Sequence, residues 1–308
     1  MNIAVIGLGR MGQALAYRAA KAGHAVYGYD VNQFPNFDKE IKDIGVVRVD
    51  TIHDFSRYTI DVFWLMVPQG AIVDQVIEQL CTFVQPGTII VDGGNSKFTD
   101  SIRRAELLAQ RSLFFLDCGT SGGIHGREHG FCLMVGGDKK AYDTIEDVLK
   151  DIAMPDGYAY VGKSGLGHYV KMVHNGIEYG LLQAYAEGFD LLKNGEFKKD
   201  HLDLEKIAFL WNHGSIIRSW ILELVYDIMK EDQNLDAVEG NVAATGMGAW
   251  TVERAHLSHV AVPVIEQALK VRIASERNGG NYGTKIVALL RNKFGGHAIT
   301  KKEKKEKK

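Results

Sequence analysis

The first half of the chain alternates short apolar runs with segments of helical periodicity. The runs are predicted to be buried strands at Asn2–Gly7, Ala25–Tyr29, Asp61–Val67, Thr88–Val91, Leu113–Asp117, Phe131–Val135 and Tyr158–Val161. Helices are predicted between them at Gln13–Ala22, Ile72–Leu80 and Asp138–Asp151. This alternation is typical of a doubly wound, mostly parallel sheet, so an α/β fold is predicted for residues 1–165.

The second half shows helical patterns alone, and an all-α domain is predicted for residues 166–300. Its predicted helices are Leu166–Lys193, Leu204–Trp211, Ile217–Met229, Trp250–His256 and Val264–Ala274. In the first of them an apolar stripe recurs at three- and four-residue steps, which predicts a buried face. The stripe consists of Val170, Val173, Ile177, Leu181 and Ala184.

Charge and cysteine usage narrow the class of protein. The formal charge is −2, and residues 301–308 hold six Lys and two Glu, so the rest of the chain is acidic and does not resemble a nucleic-acid binder. Residues 301–308 are predicted to be a disordered tail. Three widely spaced cysteines without a CxxC pattern suit reduced thiols in a cytoplasmic protein rather than a disulfide framework or a zinc site. No apolar run approaches the ~20 residues of a membrane span, and no signal peptide is expected.

A glycine-rich turn joins the first predicted strand to the first predicted helix. Its residues are Gly7, Leu8, Gly9, Arg10, Met11 and Gly12. In this pattern Gly7 permits a tight turn, Gly9 lets the backbone approach a pyrophosphate, and Gly12 lets helix and strand pack closely. Because the motif follows a strand and opens a helix, these residues are predicted to bind a dinucleotide in a Rossmann-type fold.

Asp30 ends the second predicted strand and indicates which dinucleotide is used. It lies 18 residues after Gly12, near the spacing of the acid that binds the ribose 2′-hydroxyl. A carboxylate there repels a 2′-phosphate and no Arg follows directly, so NAD is predicted, with weaker use of NADP. The alternative is that Asp30 only caps the next turn.

Polar and glycine residues follow later strands at the edge where cofactors bind in such sheets. Val67 and Pro68 end one strand and are predicted to contact the cofactor. The segment 92–96, Asp-Gly-Gly-Asn-Ser, follows the next strand, and its Asn95 can both donate and accept hydrogen bonds. A plain turn is the alternative for this segment.

A third strand leads into a segment with five glycines between Gly119 and Gly130. Its Ser121, Gly122 and Gly123 offer backbone N–H groups and a hydroxyl, which suit an anionic group such as a carboxylate. A flexible connection is the alternative.

One face of the long predicted helix carries candidate chemistry. The residues at i, i+3, i+4 and i+7 are Lys171, His174, Asn175 and Glu178. A solvated face with a loose charge pair is the plain alternative. His and Asn are poor choices for such a face, and Gly176 and Gly180 inside the helix indicate that a ligand or a backbone approaches closely. Farther along, Arg272, Arg291 and His297 could hold a phosphate, or could be ordinary surface cations.

Five motifs in order resemble the 6-phosphogluconate dehydrogenase family over nearly the whole chain. They are GLGRMG, DGGNS, GTSGGIHGREHG, KMVHNGIEYG and RNKFGGH. The first two and the SGG segment are shared with the wider β-hydroxyacid dehydrogenase superfamily, whereas the helix that carries Lys171 is far more specific. The chain resembles the short bacterial type, which tends to use NAD.

The resemblance implies a role for each matching residue. Lys171 is expected to be the general base and acid, and Glu178 the second proton donor. The residues expected to bind the carboxylate and hydroxyls of the substrate are Asn95, Ser121, Gly122, Gly123, His174 and Asn175. Those expected to bind its phosphate are Tyr179, Arg272, Arg291 and His297. In the family the terminal Arg and His come from a partner subunit, which implies a homodimer or a dimer of dimers. Long members carry a phosphate-binding lysine where Thr245 stands here.

The implied reaction is oxidative decarboxylation of 6-phospho-D-gluconate to D-ribulose 5-phosphate and CO2, in the pentose phosphate pathway or in gluconate use. No metal is expected in it. The alternatives are a 3-hydroxyacid dehydrogenase that does not decarboxylate, which has less use for Glu178, and an inactive cofactor-binding protein.

Overall fold

The computed structural model describes residues 1–244 and 246–301. The chain divides into two compact units, Met1–Lys171 and Met172–Lys308, whereas the predicted domain boundary lies at residue 165. Thr245, and the predicted tail beyond Lys301, lie outside the described residues.

Eight strands of the first unit form one sheet in the order β3-β2-β1-β4-β5-β6-β7-β8. They are β1 Asn2–Ile6, β2 Ala25–Tyr29, β3 Val47–Arg48, β4 Val62–Leu65, β5 Ile89–Asp92, β6 Phe114–Ser121, β7 Phe131–Gly137 and β8 Ala153–Gly162. Neighbouring strands are parallel except for β6 and β7, which are antiparallel. The predicted α/β Rossmann-type sheet is therefore confirmed.

Helices cover both faces of this sheet. They are α1 Arg10–Lys21, α2 Pro35–Asp43, α3 Ala71–Leu80, α4 Phe98–Ala109, α5 Gly126–His129, α6 Lys139–Thr144 and α7 Glu146–Ile152. Ile3 and Val5 of β1 pack into the apolar cluster that includes α1, while Ala4 and Ile6 pack into the cluster that includes α3. Burial on both faces explains why the central strands are apolar almost throughout.

The structure corrects several predicted elements of this unit. The predicted helix Asp138–Asp151 is two helices, α6 and α7, which meet at Ile145. Strand β6 continues to Ser121, through residues predicted to be a loop. The pattern did not predict α4, because the polar residues Ser101 and Arg104 occupy buried positions beside Leu108 and hide its apolar face.

The second unit is helical, as predicted. The helices are α8 Leu166–Asn194, whose first residues belong to the first unit, α9 Leu204–Asn212, α10 Trp220–Glu231, α11 Met247–Leu257, α12 Pro263–Asn278 and α13 Tyr282–Gly295. Leu182 and Phe189 of α8 form its core with Val225 of α10 and Ile286 of α13. Among the helices that the structure describes, none combines the length and the apolarity that a membrane crossing needs.

The predicted burial of the apolar stripe on α8 is wrong for most of its residues. Ile177 is 54% exposed and Leu181 is 47% exposed, and Val170 and Ala184 are exposed as well. The buried face of the helix instead carries Met172, Tyr179, Leu182, Ala186 and Phe189. Periodicity shows that a face is apolar, but it does not show what covers that face.

Candidate functional site

A cavity of about 870 Å³ opens in the first unit where β1, β2, β4 and β5 end. Its lining includes most of the residues predicted to bind the cofactor, namely Gly7, Gly9, Met11, Asp30, Val67, Pro68 and Asn95. Leu8 is buried against Gly28 of β2, whose added Cβ would lie 2.9 Å from the Leu8 Cδ1. Arg10 is exposed at the first position of α1.

The glycine turn meets the physical demands of a dinucleotide site. Gly7 has a φ of +97°, and a Cβ on it would lie 2.5 Å from the carbonyl oxygen of Met66. A Cβ on Gly12 would overlap the carbonyl oxygen of Gly7, so these two glycines serve the turn and its packing. At Gly9, by contrast, no described atom lies within 4 Å of the Cβ position. The protein itself gives no reason for glycine there, whereas the close approach of a pyrophosphate does.

Asp30 faces the same cavity and is held rigidly. Its Oδ2 accepts a hydrogen bond from the Leu8 N–H at 2.6 Å. Its Oδ1 accepts hydrogen bonds from the Asn32 N–H at 2.8 Å and from the Asn32 amide at 3.2 Å. Asp30 therefore caps the next turn and also lines the cavity, so the two interpretations of this residue are compatible.

Sequence reasoning missed a cation next to Asp30. The Arg48 Nη2 donates to the carbonyl oxygen of Asn32 at 3.1 Å and lies 3.5 Å from that of Asp30. Arg48 is distant in sequence, and the pairing of β3 with β2 brings it to this turn. A search restricted to the residues directly after Asp30 could not find it.

The segment after β5 is closed by its own side chains. The Asp92 Oδ2 accepts a hydrogen bond from the Ser96 hydroxyl at 2.7 Å, and its Oδ1 accepts one from the Gly94 N–H at 3.2 Å. A Cβ on Gly93 would overlap the indole nitrogen of the buried Trp64. Asn95 is thus presented to the cavity by a short closed loop.

Strand β6 connects this cavity to Lys171. Thr120 lines the cavity, and its hydroxyl donates to the carbonyl oxygen of Gly93 at 3.2 Å. The preceding residue, Gly119, packs on Lys171 so closely that an added Cβ would overlap the Lys171 Cβ. Lys171 is only 6% exposed, which excludes the solvated-face interpretation for this residue.

A buried anchor fixes the start of α8 and hence the position of Lys171. The Asp117 carboxylate accepts hydrogen bonds from the Gly165 N–H at 2.7 Å and the His168 N–H at 2.8 Å. Burial raises the pKa of the Asp117 carboxyl, and His168 and the two N–H donors oppose that rise. The Ser101 hydroxyl lies 2.7 Å from the His168 Nδ1. The one feature of the sequence that indicated this anchor is the acid Asp117 at the end of a predicted strand that is otherwise apolar.

The SGG segment is regular structure rather than a flexible connection. Ser121 is the last residue of β6 and pairs in register with Cys132. Gly122 and Gly123 have φ values of +119° and +58°, which favour glycine. They turn the chain into a short 3-10 helix, Gly123–His125, which leads into α5.

In the second unit, α8 carries the other predicted residues of its catalytic face. The His174 Nδ1 lies 3.0 Å from the Asn175 Oδ1, and the Asn175 amide donates to the Met247 sulfur at 3.3 Å. A Cβ on Gly176 would lie 2.5 Å from the Thr251 Cγ2, so Gly176 is needed for packing against α11. At Gly180 an added Cβ would make only a 3.4 Å contact.

Arg272 is a buried guanidinium on α12 that stacks on the Tyr179 ring, with 3.3 Å between its Cζ and the ring centroid. It is 2% exposed, and its Nη1 and Nη2 have no hydrogen-bond acceptor in the part of the chain that the structure describes. The pKa of Arg272 is lowered to about 10, chiefly by burial and also by Arg291, while Tyr179 and Glu178 act in the opposite direction. Arg272 therefore stays charged at neutral pH, with two terminal nitrogens that have no hydrogen-bond acceptor among the described residues.

The two other predicted phosphate ligands lie at the end of α13. Arg291 of the same chain acts electrostatically on Arg272. His297 follows the left-handed Gly296, and its carbonyl oxygen accepts a hydrogen bond from the Asn292 amide at 2.8 Å. The structure thus places Tyr179, Arg272 and Arg291 in one neighbourhood.

Comparison with known proteins finds a matching family model for each half of the chain. The model described as the NAD binding domain of 6-phosphogluconate dehydrogenase matches residues 2–163, and the model of the C-terminal domain of that enzyme matches residues 167–308. The NAD(+)-dependent, decarboxylating 6-phosphogluconate dehydrogenase of Haloferax volcanii is 43% identical over 310 residues, 98% of this chain and 100% of the relative. A decarboxylating 6-phosphogluconate dehydrogenase of rice is 36% identical over 292 residues, 89% of this chain and 60% of the relative.

Solved structures show the same fold. The 6-phosphogluconate dehydrogenase of Plasmodium falciparum, studied with NADP+ and with 6-phosphogluconate, has a TM-score of 0.83 at 30% identity and covers 90% of this chain and 62% of its own. A 3-hydroxyisobutyrate dehydrogenase of Salmonella typhimurium has a TM-score of 0.75 at 19% identity, covering 93% and 99% of the two chains. The second similarity concerns the fold alone.

Proposed function

The chain belongs to the 6-phosphogluconate dehydrogenase family, and on that premise we propose how its own residues carry out the reaction. It is a decarboxylating dehydrogenase of 6-phosphogluconate that uses a nicotinamide cofactor. The observation that carries the mechanism is the position of Lys171, which is buried against Gly119 of β6 while the next residue, Thr120, lines the cavity. A proton-transferring amine is thus next to the cavity in which we place the cofactor.

The reaction needs one group that moves a proton at the C3 hydroxyl of the substrate. It needs a second group that delivers a proton to the carbon that becomes C1 of the product. A nicotinamide held in this cavity would supply the acceptor for the hydride from C3. Lys171, uncharged in the complex, takes the C3 hydroxyl proton in the same step. The resulting 3-keto acid loses CO2, because its ketone stabilises the enediol that remains, and Lys171 returns the proton to that ketone oxygen. Glu178, on the same face of α8 two turns away at i+7, then protonates the carbon that carried the carboxylate, while the enediol oxygen at C3 gives its proton back to Lys171, which yields ribulose 5-phosphate.

Substrate recognition divides between two groups of residues. For the carboxylate and hydroxyls we propose Asn95, Ser121, Gly122, Gly123, His174 and Asn175. For the phosphate we propose Arg272, supported by Tyr179, Arg291 and His297. The buried Nη1 and Nη2 of Arg272, which have no acceptor among the residues that the structure describes, support this role, since a phosphate supplies both acceptor atoms and charge.

We propose that NAD is preferred over NADP, with Asp30 as the main determinant. Its carboxylate lines the cavity and would lie beside a 2′-phosphate, which it repels. Arg48 contacts the same turn and offers a nearby positive charge, so some use of NADP is expected. The free thiols of Cys81, Cys118 and Cys132 suit a reducing compartment, and we propose the cytoplasm.

Initial rates with 6-phosphogluconate and each cofactor test the function and the cofactor preference together. We expect one CO2 for each reduced cofactor, and a kcat/KM for NAD about tenfold or more above that for NADP, because a like-charge contact at the half-buried Asp30 is unfavourable. In Asp30→Ser the ratio of the two kcat/KM values should fall by at least about tenfold, since the repulsion is gone and a ribose ligand is lost.

The exposed Asp50 offers a matched control, because Asp50→Ser removes an acid of the same unit outside the cavity and should leave the ratio unchanged. Cofactor reduction without CO2 would assign the chain to the dehydrogenases that do not decarboxylate. Equal wild-type rates with both cofactors would refute the role of Asp30.

We further propose that the chain assembles as a homodimer or a dimer of dimers through the exposed stripe of α8. Ile177 and Leu181 lie one helical turn apart on one face, and apolar side chains so exposed on neighbouring turns are typical of protein interfaces. Leu181→Glu should therefore shift the mass in solution toward a single chain, as measured by light scattering.

Leu210→Glu is the control for that experiment, since Leu210 is also an exposed leucine but lies on α9 rather than on the α8 stripe. The interface proposal fails if Leu181→Glu keeps the wild-type mass, or if both variants lose it equally.

A further inference from the structure

Arg104 of α4 is a charged side chain that the first unit buries almost completely, with 1% of its surface exposed. A buried charge is costly unless it is paired and hydrogen-bonded. The Arg104 Nε donates to the Asp74 Oδ1 at 2.8 Å. Its Nη1 lies 3.2 Å from both the Asp92 Oδ2 and the Ser96 hydroxyl, and its Nη2 donates to the carbonyl oxygen of Gly70 at 3.0 Å. Each of its three nitrogens is thus used.

These contacts reach the ends of two loops that form walls of the cavity. Gly70 closes the loop after β4, which contributes Val67, Pro68 and Gln69 to the lining. Asp92 and Ser96 begin and end the loop after β5, whose residues 93–95 also line the cavity. The loops touch, since a Cβ on Gly94 would lie 3.0 Å from the Val67 carbonyl oxygen. One guanidinium therefore bridges both walls.

We propose that Arg104 is a positioning residue for the nicotinamide cofactor. It fixes the loop after β4 against the loop after β5, so that Pro68 and Asn95 meet the cofactor in one geometry. The planar guanidinium can donate in three directions at once, which a lysine ammonium on a flexible stem does not reproduce. This inference rests on the proposed placement of the cofactor in this cavity.

If Arg104 had a purely structural role, its loss would lower the stability of the protein but not the affinity for the cofactor. Breaking a buried ion pair leaves Asp92 without its cation and lowers stability wherever such a pair lies. It does not by itself change the affinity of the folded protein for a ligand. The affinity for the cofactor, measured on folded protein without substrate, therefore separates the two roles.

Calorimetric titration of the full chain with NAD tests the proposal, beside Arg104→Lys and Arg104→Met. In both variants we expect the Kd to rise about tenfold or more, because loops that lose their support hold the cofactor less well. Arg104→Lys keeps the positive charge for Asp92 and Asp74 and is the variant more apt to fold. Ser96→Ala removes a single arm of the network and should raise the Kd by a smaller factor.

Two controls lie on the same helix. Arg103→Met removes a neighbouring guanidinium that pairs with Asp74 but reaches neither loop, and Leu108→Ala opens the core under α4. Both should leave the Kd within about twofold of wild type, and Leu108→Ala should lower the Tm. A wild-type Kd in folded Arg104→Lys and Ser96→Ala would overturn the proposal, as would an equal rise in Leu108→Ala. If the wild-type chain itself did not bind NAD or NADP, the placement of the cofactor would be at fault instead.

Discussion

Replacing Lys171 by Met should lower kcat about 10³- to 10⁴-fold while the fold is kept. General acid–base catalysis by one positioned group contributes about 10²- to 10⁴-fold, and Lys171 is proposed to serve both as base and as acid. Met matches the length of the buried stem that packs against Gly119 and carries no charge to bury. Steady-state rates and a single-turnover measurement of cofactor reduction should fall together, because the amine acts in the first chemical step.

The matched control is Lys193→Met at the other end of α8, where the lysine donates to the Asn234 side chain. Its kcat should remain at the wild-type value. Glu178→Gln separates the two proton transfers, since it should leave the first reduction of the cofactor fast and slow the later protonation at C1. A Lys171→Met enzyme that keeps more than about a tenth of the wild-type kcat would refute the assignment of the base.

Replacing Arg272 by Met should lower kcat/KM for 6-phosphogluconate about 10²- to 10³-fold. Charge-assisted hydrogen bonds contribute about 1.5–3 kcal/mol each, and two such bonds to a phosphate account for a loss of this size. The same variant should discriminate poorly between 6-phosphogluconate and gluconate, which lacks the phosphate. Its rate with gluconate should change little, because the lost contacts concern the phosphate alone.

Stability gives an independent measurement on the same variant. The Arg272 guanidinium is buried without acceptors for Nη1 and Nη2 among the described residues, so its removal relieves a desolvation penalty. The stacking on Tyr179 that is lost contributes about 0.5–2 kcal/mol. We therefore expect a Tm that is unchanged or raised. Arg277→Met, on the exposed side of α12, is the control and should change neither the Tm nor kcat/KM for 6-phosphogluconate. A large loss of Tm with unchanged selectivity for the phosphate would show that Arg272 is structural.

Local patterns were sufficient for features that depend on neighbours in sequence. Backbone periodicity is a local property, so the strand Ala25–Tyr29 has the predicted bounds and α8 ends one residue beyond its predicted end. The glycine turn was predicted for the same reason, since the conformation of Gly7 and the packing of Gly12 are demanded by the adjoining strand and helix. The face of α8 that carries Lys171 follows from helical spacing alone.

Long-range pairing decided what those local patterns could not. Arg48 reaches the turn of Asp30 because β3 pairs with β2, and Arg104 reaches two loops because α4 packs beside their strands. Neither contact leaves a periodic signal, and the buried Arg104 even hid the helix that carries it.

The sequence by itself determined the α/β and all-α halves, the dinucleotide turn and the helical face of the proposed base, because each depends on residues a few positions apart. Only the tertiary structure decided that Lys171 is buried against Gly119 and that most of the α8 stripe is exposed. It also decided that the Nη1 and Nη2 of Arg272 have no acceptor among the described residues. Burial and the pairing of charges are properties of surfaces brought together from distant parts of the chain. Spacing along the chain shows which side chains can share a face, but not what that face meets.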